Sequence, residues 1–419
     1  MAYIGWVKNN IGLLGGLMLT AGLCLGNALI SIGVILIALQ VVMVPPKALT
    51  GQLIKKYSPF LAIILLYFWH VFSGIYTEDL HEWGNHLRRK LPFLLLPVAF
   101  LSPAMQRKSV YELSHIVFIG AVGFVGLWTG IDYFINYETV QEELMETGAI
   151  MIFGGVNHIY YSLFLAYAII AGGYFAINSK NSALKYSIVG LTLINIVLLH
   201  FIGARTGVVA FYLTLFIVMA YYFVCFRGEV LKGIIVLAVL VGSVILSVSF
   251  IGPLNQKFDD TLKDFNVILE DKNPNHWSLA QRKESYIKGW QLFKENPFFG
   301  VGRGDLGSAM EKQYEKNGTL LIPENRLNPH NQYLLYLAAL GLPAFILLLY
   351  VLFYPLFNEY YRKDLLFLSF IILAAFAMLP EYILERQIGI SFFLYFYCLI
   401  YVSLTQKELN TSESYMKKI

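Results

Sequence analysis

Apolar stretches of membrane-crossing length recur along this chain, and nothing else in it limits the fold so tightly. A helix needs about 20 mostly apolar residues to cross a bilayer, within a range of about 17 to 25. Twelve stretches are candidates: 11–26, 28–44, 59–76, 91–101, 111–131, 158–177, 184–202, 206–226, 231–250, 331–353, 364–380 and 387–404. The 91–101 stretch is short and is expected to extend back through the basic run before it. Of the 419 residues only 14% are charged and 57% are hydrophobic, where soluble domains carry roughly a quarter charged residues. The sequence predicts an all-α polytopic membrane protein of about twelve transmembrane helices. Lys8 precedes the first apolar run as it would in a signal peptide. A second run follows almost at once with no small-residue cleavage site between them, so the first is read as a retained span. Cys24, Cys225 and Cys398 offer neither a disulfide framework nor metal-ligand spacing and are read as small buried residues.

Lysine and arginine placement sets the orientation, because short cytoplasmic loops carry the excess. With twelve spans both termini share one side, and that side holds 15 of the 31 basic residues, among them Lys8, Lys47, Lys417 and Lys418. The short loops opposite hold five: Arg88, Arg89, Lys90, Arg205 and Arg386. The other 11 lie in one long loop, 251–330. This predicts cytoplasmic termini and an outward loop, periplasmic in a bacterium. The expected domains are helices one to nine over 1–250, the loop over 251–330, and helices ten to twelve with a cytoplasmic tail over 331–419. Inside the loop, Ser278 with Gln281 three residues on reads as a capping box. Leu279, Tyr286, Ile287, Trp290 and Phe293 fall on one helical face, and Asn296-Pro297 ends the helix. An amphipathic helix on the membrane surface or on top of the bundle is expected.

Polar residues gather at the outward span ends. Arg205, between Gly203 and Gly207, is either an interfacial anchor or an anion site whose guanidinium grips phosphate oxygens in pairs. Arg282 and Lys283 flank the apolar face of the 278–295 helix, and periodicity does not choose between them. Arg303 sits in the glycine-rich turn 296–305, which lacks the preceding strand of a dinucleotide fingerprint. Pro329 stops the chain before His330, and Asn331 is a good N-cap for the next span. The positive end of that helix dipole favours a neutral imidazole, the form a general base requires. Glu381 and Glu385, four apart, either pair with these cations, orient an acceptor sugar, or cap and anchor the last span. Arg88, Arg89 and Lys90 either meet phosphate groups or answer lipid headgroups.

The stretch 281–307 followed by 328–349 resembles the signature region of the O-antigen ligase and polymerase superfamily. The residues that carry the likeness are Arg282, Trp290, Asn296, Pro297, Gly300, Gly302, His330, Asn331, Tyr333, Leu334 and Gly341. The resemblance implies glycosyl transfer outside the cytoplasmic membrane from a glycan carried on undecaprenyl pyrophosphate. It further implies an inverting transferase needing no metal and no cofactor. His330 would be the catalytic base and Arg205, Arg282 and Arg303 the pyrophosphate contacts. Asn331, Tyr333, Glu381 and Glu385 would support them, and Arg88, Arg89 and Lys90 would touch acceptor or phosphate.

The leading expectation is an O-antigen ligase of the inner membrane, joining a polysaccharide to the lipid A core oligosaccharide. Its rivals are a polymerase joining lipid-linked repeats and a protein O-oligosaccharyltransferase. A lipid-linked glycan transporter is the alternative of a different class; it would show inverted repeats and broken midplane helices, and the sequence displays neither. Membrane lipids are expected partners and nucleic acid is not.

Overall fold

The computed structural model describes residues 2–46, 51–147, 149–250, 252–270 and 273–416; Lys47, Lys417 and Lys418 lie outside them. Among these residues the chain is helical with no strand. In chain order the helices are α1 (Ala2–Leu25), α2 (Asn27–Met43), α3 (Gly51–Lys56), α4 (Ser58–Phe72), α5 (Leu80–Arg89), α6 (Pro92–Phe100) and α7 (Lys108–Ile135). Next come α8 (Tyr137–Thr147), α9 (His158–Asn178), α10 (Ser182–Ile202), α11 (Arg205–Ala220) and α12 (Val230–Phe250). Within the long loop lie α13 (Gly252–Leu269), α14 (Ser278–Glu295) and α15 (Leu306–Lys316). The chain closes with α16 (Gln332–Phe353), α17 (Glu359–Lys363), α18 (Leu365–Ala377) and α19 (Gln387–Met416).

Eight of the described helices are long and apolar enough to cross a membrane, in place of the twelve expected: α4, α7, α9, α10, α11, α12, α16 and α19. Apolar stretches in α1, α2 and α18 are shorter. At 1.5 Å per residue the 13 residues of α18 reach only about 20 Å, against about 30 Å of hydrocarbon. The 91–101 segment is α6, nine residues long. Helix α5 does precede it, but the two are separated at Lys90-Leu91, with Pro92 opening α6. At the bundle centre stands α19, whose residues from Phe392 to Val402 are all buried, while α12 is largely exposed. Cys24 and Cys398 are buried as expected; Cys225 is exposed, in a π turn that widens the end of α11.

Side-chain contacts divide the bundle into two ends. At one, Gln40 donates to the Lys8 carbonyl, Lys56 pairs with Glu408, and Lys407 lies over the Tyr111 ring. Both ends of the described chain therefore lie together. The long loop packs at the far end, where α14 contacts α16 and Asp305 accepts from the Glu78 and Asp79 amides, 2.8 Å each.

Helix α16 is broken, although the sequence reading found no broken helix. Gly341 takes φ 74°, ψ −172°, a region closed to side-chain-bearing residues. Backbone groups freed inside a bundle must find partners. Here the 297–302 turn supplies them. Val301 N donates to Ala338 O and Gly302 N to Ala339 O, 3.0 Å each, and Leu342 N donates to Pro297 O at 2.9 Å. Trp69 Nε1 takes the Leu340 carbonyl at 2.8 Å and stacks on Phe299. A Cβ on Gly300 would strike the Ala339 backbone, and one on Gly341 the Phe298 carbonyl. The motif glycines are thus two sides of one backbone crossing.

Candidate active site at the far end of the bundle

His330 ends the loop. Asn331 caps α16 by accepting from Leu334 N at 2.9 Å, as expected, and fixes where the imidazole stands. Tyr286 Oη donates to the His330 carbonyl at 2.8 Å, tying it to α14. The ring packs on Tyr382, centroids 4.5 Å apart, with its Nδ1 3.5 Å from Glu381 Oε1, long for a hydrogen bond. Glu381 Oε2 lies 3.8 Å from Arg282 Nη2. Burial alone would raise the Glu381 carboxyl; His330 and Arg282 outweigh it and hold it below the ordinary range. Imidazole, carboxylate and guanidinium thus form one row. Lys283 turns elsewhere, to a cavity of about 550 Å³ that it lines with Lys288 and Gln291.

Arg205 is joined to the start of α14 through α13. Its Nη1 lies 3.3 Å from Asp264 Oδ2, and Asp264 Oδ1 accepts from Leu279 N in the first turn of α14. The capping box expected at Ser278 does not form: Ser278 is already helical, no side chain caps from Trp277, and Gln281 donates to Asn275 O instead. The cap comes from Asp264, a partner distant in sequence and invisible to a local motif. The apolar face read for α14 is only half right. Ser285, Lys288, Gly289 and Leu292 are buried, while Ile287 and Trp290 stand exposed.

A second cluster lies deeper. Glu385 accepts from Arg303 Nε and Nη2 at 2.9 and 2.7 Å and from Lys90 Nζ at 2.6 Å. Lys90 also donates to the Leu384 carbonyl. All three side chains are buried. Burial would raise the Glu385 carboxyl, but Arg303 and Lys90 drive it far down. Burial brings the Lys90 ammonium down to about 8 against the pull of Glu385, and burial with Arg303 brings His86 down to about 3. Arg303 and Lys90, both expected to meet phosphate, share the single carboxylate of Glu385. Arg88 and Arg89 are exposed on α5, Arg88 bonded to Asn85. Tyr333 Oη donates to Ala375 O at 3.0 Å and ties α16 to α18.

Sequence reasoning passed over Gln332 and gave Arg386 no role beyond flanking the last span. Gln332 is fully buried; its backbone N–H donates to Met378 O and its side-chain Oε1 accepts from Leu384 N, so it joins the His330 segment to the Glu381–Glu385 segment. Arg386 is exposed and stands near Tyr382. Its place as the one arginine opening the last span was the available signal.

A helical membrane protein with a His–Glu–Arg row and clustered guanidinium groups at one end is suited to acid–base chemistry on an anionic substrate. Residues 188–349 match the O-antigen ligase family, which bears out the resemblance to the O-antigen ligase and polymerase superfamily. The match takes in Arg205, Arg282, Arg303, His330, Asn331 and Tyr333 and stops before Glu381. The family supports a ligase- or polymerase-type activity related to lipopolysaccharide, acting on lipid-linked glycans. No curated protein matches the chain.

Proposed function

We propose that this protein is an O-antigen ligase. It transfers a polysaccharide from undecaprenyl pyrophosphate to the lipid A core oligosaccharide, on the periplasmic side of the inner membrane. The supporting observation is the row His330–Glu381–Arg282. With Nδ1 turned to Glu381, the other ring nitrogen, Nε2, is left to take a proton. In this reading the acceptor hydroxyl attacks the anomeric carbon and its proton passes to His330. The bond from that carbon to the diphosphate oxygen breaks on the opposite face, so configuration inverts and the electron pair leaves with undecaprenyl diphosphate. Glu381 orients the imidazole and offsets the charge it gains. Arg282 and Arg205, one-fifth and one-third exposed and each near a single carboxylate, meet the charge developing on the leaving group. Arg303 acts behind them through Glu385. No metal or cofactor takes part. Charge placement supports cytoplasmic termini, with 1–250 and 331–419 in the membrane and 251–330 outside it.

Deletion in the native bacterium, followed by gel analysis of lipopolysaccharide, tests the reading. Loss of a ligase leaves bare core while carrier-linked polymer accumulates; core bearing a single repeat would instead identify a polymerase. Complementation with His330→Ala should restore the protein to the membrane and not the product.

A further inference from the structure

The wall behind the row holds two cavities, each about 570 Å³, within the range of small-molecule sites. Arg89, Glu385 and Arg386 line both. The cavity on the α5 side also carries Asp79 and Glu82. The other lies between the α1–α2 turn, the 154–157 loop and the start of α19, and among the described residues Glu385 is its only carboxylate. That carboxylate faces two cations, Arg303 and Lys90, so it adds no net negative charge. Neither Arg89 nor Arg386 has a carboxylate at ion-pair distance among the described residues. The remaining lining is polar and small: Asn27, Gly154, Gly155, Asn157 and Gln387. Tyr160 completes it. This side chain is 3% exposed, and its hydroxyl has no hydrogen-bond partner among the described residues. A buried hydroxyl left without a partner destabilises the fold, a loss that a ligand group would recover. Tyr160 is also within electrostatic reach of Glu381, Tyr382 and Arg386, so the cavity adjoins the row that holds His330.

We infer that this second cavity binds a phosphorylated sugar of the acceptor, with Arg89 and Arg386 on the phosphate and Tyr160 and the amide side chains on the sugar. The inference rests on the ligase reading. Two unmatched guanidinium groups suit a phosphomonoester, which carries about −1.5 to −2 near neutrality, better than a carboxylate carrying −1. Amides and a phenol are the partners sugar hydroxyls use.

Two measurements test it. In the first, glucose 6-phosphate is added to the purified protein in detergent and thermal unfolding is followed. It should raise the melting temperature of the wild type and leave Arg89→Gln/Arg386→Gln unmoved, with glucose inert toward both. Equal behaviour of wild type and variant overturns the site. Both arginines are exposed, so folding should survive; Tyr160→Phe, which keeps the ring, is the second variant. In the second measurement, transfer from a lipid-linked glycan is compared on core acceptor before and after phosphatase treatment. Arg386→Gln should raise KM for the phosphorylated acceptor about tenfold or more, the usual worth of a hydrogen bond to a charged group. KM for the dephosphorylated acceptor should start high and hardly move. A rise confined to the donor KM would assign the cavity to the donor diphosphate and overturn the acceptor reading. If glucose 6-phosphate binds as expected but no core acceptor is ever glycosylated, the ligase reading falls while the sugar-phosphate site stands.

Discussion

Replacing Glu381 by Gln removes one charge and almost no volume. The carboxylate lies 3.5 Å from His330 Nδ1. At an effective dielectric of about 20, a unit charge at that distance steadies an imidazolium by about 5 kcal/mol. The His330 side chain is 20% exposed, and the Gln carbonyl retains part of the contact, so we expect about 2–3 kcal/mol to appear in the barrier. That is a fall in kcat of roughly 30- to 150-fold. Arg282 would meanwhile lose its counter-charge at 3.8 Å and hold an anionic donor no less firmly. The expected signature is therefore low kcat with an unchanged or lower donor KM. The assay is transfer by purified protein from a lipid-linked donor to core acceptor, with product resolved on a gel. A kcat within about threefold of wild type would refute the coupling of Glu381 to the base.

Arg282→Lys should lower turnover by about tenfold or more, because an ammonium cannot reproduce a planar two-point grip on phosphate; equal rates would remove Arg282 from the anion site. Glu385→Ala leaves Arg303 and Lys90 buried without a counter-charge and should cost about 3–5 kcal/mol, seen as a large drop in melting temperature that Arg88→Ala does not share. Because Arg303 and Lys90 hold the folded Glu385 carboxyl below its unfolded value, its stabilising share is complete above the ordinary glutamate pKa, about 4.3, and fades as pH falls below that. Melting temperature should decline on acidification in wild type and decline less in Glu385→Gln. Gly341→Ala forces a side chain into a positive-φ position against the Phe298 carbonyl and should abolish a monodisperse peak on size exclusion, while Gly120→Ala, with open space at its Cβ, should not.

Helical class and the position of His330 were legible because hydropathy and an N-cap are local signals. The pairing of Glu381 with His330 and Arg282 was one of the roles its outward placement left open, since 51 residues separate it from His330 and no local signal chooses its partner. The role of Glu385 stayed open between pairing, orienting a sugar and capping for a similar reason: no local signal records that the fold buries it with Arg303 and Lys90. The break in α16 escaped because Gly341 and Pro343 sit in an unbroken apolar run, and hydropathy does not record φ. The cap on α14 was misread because Ser278 and Gln281 fit a common local pattern while Asp264 supplied the bond from another helix.

The welded crossing between the 297–302 turn and α16 has a mechanical consequence. The first two turns of α16, with His330 at their head, are fastened to the loop by the same bonds that detach them from the lower half of the helix. The position of the base is therefore set by the loop as much as by the helix that follows it.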